Sequence, residues 1–445
     1  MSRDDYIKYG SRRRKRDNGG PVAAIVFVVF IAVACGFTAF WLAKGNLGDK
    51  PSTDQLTNFL DPNSGANVTQ VAEVPTETPT PTLTPSPTPT PRGEIMMYET
   101  AYLEGFEDTR ERRDVRAIIA TDISLTSDRL QHYLDICDNT EINAIVINVK
   151  NDDGTISYDM DCESVKEAGT IKNTVGDMKG LLELLHSHDI YCIARVDAFL
   201  DSALHDSHPE YFAKKTDGTT YVDGDKRKWI NPYDELACRY IVDVACQCII
   251  DGFDEVCFDY IRVSTYSGMK SVDFGRNAER FTLTEQIAEF CKYAANRVKP
   301  LGGFLSASVF GAIINSSVDA AIIGQDYVAM ARYLDYICPM VYPSHYAAGY
   351  AGISVPDADP YALIDFEMKK SNKKLAEAEE ETGGKYALCR PWLQAFTASW
   401  VKGYVEYTGD VCRQQVEACY DNGINIWMYW NSGGKYRDDY FAKEW

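Results

Sequence analysis

INAIVINVK (142–150), IYCIARVD (190–197) and DEVCFDYIR (254–262) decide the fold. Each is a short β-branched or aromatic run that ends in charge. Successive side chains of a strand point to opposite faces, so Asn148 and Lys150 share one face while Ile145, Ile147 and Val149 share the other. Arg195 and Asp197 oppose Cys192, Ala194 and Val196 in the same way. Outward from these three, similar runs recur at 115–121, 303–310, 334–342, 386–395 and 424–431. Helical stretches near 126–138, 177–188, 234–251, 283–299, 325–333, 360–381 and 409–422 separate them. This alternation predicts an α/β protein whose parallel strands close into a (β/α)8 TIM barrel over 94–445. An open doubly wound sheet is the competing reading, but it usually carries a GxGxxG turn after an early strand, and none occurs there.

Upstream, Val22 to Ala43 is an uncharged run of 22 residues. As a helix rising about 1.5 Å per residue it is long enough to cross a bilayer once. Arg12, Arg13, Arg14, Lys15 and Arg16 precede it, which predicts a basic cytoplasmic tail at 1–21, a transmembrane helix at 22–43 and an extracellular remainder. A cleaved signal peptide competes, although its apolar region is usually about 7–15 residues. Residues 44–93 lack hydrophobic periodicity and end in PTETPTPTLTPSPTPTPR, with seven of the 18 prolines. They read as a disordered Thr/Pro-rich linker, stiff and extended, that holds a monomeric ectodomain off the membrane.

The formal charge of −20 is uneven, because the first 21 residues carry seven basic against three acidic side chains. An acidic bulk repels phosphate backbones, which argues against nucleic acid and favours neutral or cationic partners. Twelve of the 13 cysteines lie outside the apolar run. Cys192, Cys257, Cys338 and Cys389 fall in strand-like runs, and Cys238, Cys246 and Cys248 in a helical one, so mostly free thiols and at most one bridge are expected.

In a barrel of this kind the active site sits at the C-terminal strand ends. The polar faces of the strands are therefore expected to line an open, polar mouth: Asn148 and Lys150, Arg195 and Asp197, Ser306 and Ser308, and Arg390, Trp392 and Gln394. Asp259 in CFDYIR is the sharpest candidate, a carboxylate closing an otherwise apolar or aromatic run. A structural reading pairs it with Arg262 or Arg195. Glycoside hydrolysis needs two carboxylates, and Asp122, Asp152, Asp153, Asp197 and Asp201 are available as partners. Trp229, Tyr342, Trp392, Trp427, Tyr429 and Trp430 collect near strand ends, where rings can stack on sugars.

INVKNDDGTISY (147–158), IARVDAFLDS (193–202), WINPYDE (229–235), GFDEVCFDYIR (252–262) and YICPMVYPSHY (336–346) occur in that order. Together they resemble a bacterial family of inferred glycoside hydrolases with a TIM-barrel domain of otherwise unassigned function, from about Val115 to Trp430. The resemblance implies a (β/α)8 fold and a carbohydrate substrate. Lys150, Asp152, Arg195, Asp201, Asp259, Arg262, Tyr342 and His345 match its pattern. Asn148, Asn151 and Asn231 stand where similar sequences commonly have acids, and Asp197 where they have an apolar residue.

Rival chemistries are weaker. His186 and His188 are two apart on a helix and face different ways, and no Cys/His spacing suggests zinc, so neither metal nor cofactor is expected. No GxSxG turn presents a serine nucleophile. The expected function is hydrolysis of a polysaccharide or cell-wall glycan, with Asp259 as nucleophile or base and Asp152 or Asp201 as acid. Substrate contacts are expected from Lys150, Arg195, Arg262, Trp229, Tyr342, His345, Trp392, Gln394 and Trp430. A non-catalytic, glycan-binding surface barrel is the alternative.

Overall fold

The computed structural model describes residues 97–98, 101–121 and 123–442. The tail, apolar run and linker expected at 1–93 lie outside the described residues, as does Asp122. Among the described residues no helix is long and apolar enough to cross a membrane.

Nine strands form one closed, parallel ring, and Lys214–Lys215 and Val272–Asp273 pair antiparallel outside it. β1 (Arg116–Ala120), β2 (Ala144–Lys150), β3 (Tyr191–Asp197), β4 (Glu255–Asp259), β5 (Phe304–Phe310) and β6 (Tyr336–Met340) pair in chain order. The seventh position is split, which corrects the continuous strand expected at 386–395. β7 (Leu388–Cys389) and β8 (Trp392–Gln394) both pair with β6, and Pro391 between them has no N–H to give the ladder. β9 (Trp427–Trp430) pairs with β8 and returns to β1 through Arg116 and Trp427, which closes the barrel.

The helices expected from sequence are present with shifted ends: α1 (Leu130–Asn139), α3 (Met178–Ser187), α4 (Glu235–Ile250), α5 (Leu283–Val298), α7 (Tyr327–Ala331), α8 (Pro360–Thr382) and α9 (Gly409–Asp421). Two short ones, α2 (Glu163–Ala168) and α6 (Ser317–Ile323), are additions. Their starts follow from capping chemistry. Asp177, Asp234 and Asp359 accept the N–H of Gly180, Ala237 and Ala362, and Thr282 with Glu285 forms a capping box before α5. The cysteines from Cys137 to Cys419 are all free thiols, and all but Cys137 are buried.

The polar inner face divides into two layers, and here the expectation of an open mouth for every polar strand residue is corrected. Arg390 and Ser306 are sealed at the N-terminal end of the barrel, where Glu255 meets them. Arg390 Nη1 donates to Glu255 Oε2 at 3.0 Å, Nη2 donates to Oε1, and Tyr191 adds its hydroxyl at 3.2 Å. A buried charge is tolerable when paired in this way, although Arg390 Nε is left without a hydrogen-bond partner. Beneath, Arg110 closes the base with two hydrogen bonds to Asp335, at 2.9 and 3.0 Å.

Candidate active site

At the opposite end, β3 and β4 finish side by side, with Asp197 in register with Asp259. The pairing continues past the strands, as Ala198 N donates to Asp259 O and Phe199 N to Tyr260 O. Tyr260 takes φ +45°, a conformation that L-residues adopt at a cost. In that bend its own N–H donates to Asp259 Oδ1 at 2.7 Å. Arg195, two residues before Asp197 and on the same face, donates Nε and Nη2 to Asp259 Oδ2 at 2.9 and 2.6 Å. The same Nη2 lies 3.0 Å from Asp197 Oδ1, and Nη1 donates to Asn148 Oδ1 at 3.2 Å.

Two carboxylates thus share one guanidinium. Neither Asp197 oxygen has a well-aligned hydrogen-bond donor, and the side chain is fully buried. Burial first, then the charges of Asp259 and Asp152, push the Asp197 carboxyl well above the carboxylate range, against the pull of Arg195 and Lys150. Burial alone would weaken the guanidinium of Arg195; Asp197 and Asp259 reverse this and raise its pKa.

The VKNDDG segment explains itself on the neighbouring loop. Lys150 is sealed in an ion pair with Asp201 at 2.8 Å and also donates to Asp197 O at 2.8 Å. Gly154 has φ +90°, and a Cβ there would fall 1.9 Å from Asp201 Oδ1, so only glycine fits. Asp153 is spent on the turn, accepting from Thr155 N and Oγ1. Asp152 between them is exposed. A cavity of about 290 Å3 lies beside this loop, at the ends of β1 and β2, with Thr121, Ser127, Asn148, Asn151 and Ser157 among its lining.

The residues expected at the site therefore separate. Asp259, Arg195 and Trp430 come together, with Trp430 half-buried and its ring 5.5 Å from the Arg195 guanidinium. Tyr342 is buried, and burial first, then the charge of Asp259, pushes its phenol up. His345 packs edge-on to Tyr342 at 5.3 Å, and its enclosure lowers its pKa to about 4, so it is neutral at physiological pH. Part of the His345 surface is nevertheless exposed, so the ring is enclosed rather than sealed.

Others sit inside the framework. Asp201 does not reach the open mouth, because Lys150 and Gly154 cover it. Trp229 is buried and donates Nε1 to Asp223, and Arg262 lies within 5.1 Å of the Trp229 and Tyr260 rings. Trp392 donates to Ser308 within the barrel, and Gln394 donates to Asp357 and accepts from Ser344 N. Trp427 and Tyr429, expected among the groove aromatics, are fully buried.

Sequence reasoning missed Glu255, Tyr260 and the aromatic loop after β8, and it discounted Asp197. Only Asp197 carried a usable signal: it shares a face with Arg195. Among the described residues, one set of three possible metal donors meets, His186, Cys192 and Asp254, within 4.8 Å of one another. It lies near the starts of β3 and β4, away from the mouth, and Asp254 Oδ2 already accepts from Cys192 N and pairs with His186 Nε2. His188 turns instead to Asp138.

A closed parallel barrel that gathers ionisable groups at the C-terminal ends of its strands has the layout on which barrel enzymes build their active sites. Residues 117–436 match the family described as "Putative glycosyl hydrolase domain", and the chain belongs to that family; as expected from the sequence, it is a glycoside hydrolase by class. No curated protein matches the chain. Among solved structures, the glycoside hydrolase domain of PgaB (BpsB) from Bordetella bronchiseptica is similar at 12% identity and a TM-score of 0.50, over 72% of this chain and 94% of that one. A hypothetical protein from Ruminiclostridium thermocellum is 34% identical over 43% of this chain and 96% of its own, with a TM-score of 0.39. An alpha-galactosidase from Thermus thermophilus is 10% identical, covering 74% of this chain and 60% of its own, with a TM-score of 0.44.

Proposed function

We propose that this is a membrane-anchored hydrolase facing the cell exterior, which cleaves a polysaccharide or cell-wall glycan with Asp259 as nucleophile or base. The observation that carries this reading is the pair Asp197 and Asp259, adjacent at the mouth and divided by one arginine. Neighbouring titratable groups whose environments push them apart are a signature of acid/base assignments. Here Asp197 holds a proton and leaves the guanidinium to Asp259.

Asp152 is assigned as the acid that protonates the leaving oxygen, because it is the exposed carboxyl of the loop after β2. Asp201, the other acid expected from sequence, instead fixes Lys150 and the loop that carries Asp152. Arg195 positions Asp259, and the hydroxyl and amide groups beside Asn148 suit uncharged sugar hydroxyls. His345, being neutral, offers a hydrogen bond and no charge. Anchoring follows from the apolar run at 22–43 and the basic residues before it.

The non-catalytic reading has one observation in its favour. Three N–H donors already engage Asp259, two on Oδ2 and one on Oδ1, which suits a fixed binding group as well as a nucleophile. Incubating the full chain with a panel of polysaccharides and measuring new reducing ends separates the two. Release by the wild type and none by Asp152→Asn or Asp259→Asn is expected. Binding without release by the wild type leaves the barrel as a glycan-binding module.

A further inference from the structure

We infer that the loop after β8 carries an outer glycan subsite, built on Phe396 and Trp400, that holds a polymer chain beyond the bond being cleaved. This rests on the hydrolase reading above and extends it from the mouth to the rim. Most aromatics that the sequence placed at strand ends are buried, but this loop differs. Trp400 is 42% exposed and Tyr404 45%.

The loop starts beside the mouth: Trp430 stands 5.5 Å from the Arg195 guanidinium, and Ala395 donates its N–H to Trp430 O. From there outward, buried Tyr342 meets Phe396 edge-on at 6.0 Å. Phe396, half-buried, lies nearly parallel to Trp400, 17° between planes and 6.1 Å between centroids. His345 flanks the first of these ring contacts, 6.5 Å from Phe396, and supplies a polar ring beside the apolar faces.

The loop is held at both ends, so its rings are presented and not merely loose. Gln394 Nε2 donates to Phe396 O at 3.0 Å, and Asn431 Nδ2 donates to Ala395 O at 2.7 Å. Tyr407 N returns to Thr397 Oγ1 at 3.0 Å, while Ala398 is fully buried beneath. Binding residues on a loop fixed by a rigid scaffold are a recurring arrangement, and fixing them beforehand lowers the ordering cost of binding. Exposed aromatic surface contiguous with a site marks where a ligand lies. The ligand class is a neutral or cationic polysaccharide, because the ring faces stack on sugar C–H surfaces and the chain is strongly acidic.

The test uses the full chain and a neutral β-glucan, chitosan and alginate, each as polymer and as disaccharide. Trp400→Ala is expected to raise KM for the hydrolysed polymer relative to its disaccharide by about tenfold, with Trp400→Phe recovering most of the loss. Alginate is expected to be a poor ligand. Hydrolysis with no change in that KM ratio overturns the outer subsite and leaves the hydrolase reading standing. Where nothing is hydrolysed, retardation by each polymer in affinity electrophoresis decides. Weaker retardation of Trp400→Ala keeps the subsite while the hydrolase reading falls, and equal or absent retardation overturns the subsite.

Discussion

The barrel holds two buried charge clusters on the same inner face, and they are built on opposite rules. At the base, Glu255 and Arg390 meet one to one, both carboxylate oxygens are engaged, and tyrosine and serine hydroxyls add to them, with Arg390 Nε left over. At the mouth, Arg195 serves two carboxyl groups, and those of Asp197 lack aligned donors. The balanced cluster can only hold the strands together. An unbalanced one keeps a proton in play, and that is what acid/base chemistry requires.

The comparison is most easily broken at the base. Arg390→Met strands Glu255 in the core, which is expected to cost about 3–5 kcal/mol, read as a fall in the denaturation midpoint. Hydrolysis per folded molecule should persist. A variant that stays stable but loses activity would place the base cluster in the chemistry.

Glu367 sharpens the role of charge balance, because it is buried with Tyr350 and Asn315 as hydrogen-bond donors and no arginine. Burial raises its pKa from 4.5 to about 7. A raised carboxyl binds its proton more tightly folded than unfolded, so the stability it contributes is present below pH 4.5 and is lost as pH rises through about 7. Glu367→Gln should flatten this slope, on the order of 3 kcal/mol at full effect. An unaltered stability profile between those pH values would show that Glu367 does not titrate there.

A smaller effect is expected from Gly154→Ala. The positive φ and the contact with Asp201 should cost about 1–3 kcal/mol. Because the loop also carries Asp152, kcat should fall as well, and a rise in stability would remove Gly154 from the account.

How much of this could be read beforehand depended on whether period-two patterning reached the residue. Arg195, Asp197 and Asp259 end alternating runs, so their shared face was legible. Asp197 was nonetheless discounted, because the family comparison offered an apolar residue there and only the register with Asp259 reveals the pair. Glu255 begins its strand, where no mouth is expected, and its partner Arg390 is 135 residues away. Tryptophan near a strand end gave no direction: Trp392 points into the barrel and Trp430 reaches the surface. Phe396 and Trp400 lie in a loop with no period to read. The split at Pro391 was written in the sequence, as proline cannot complete the ladder.

The most direct test is one variant measured twice. Asp259→Asn keeps the shape of the mouth and removes the charge that helps hold the proton on Asp197, which is then free to ionise and pair with Arg195. Hydrolysis is predicted to vanish while the denaturation midpoint holds or rises. Hydrolysis at the wild-type rate, or a loss of stability as large as that of Arg390→Met, would contradict the assignment of the mouth cluster to catalysis.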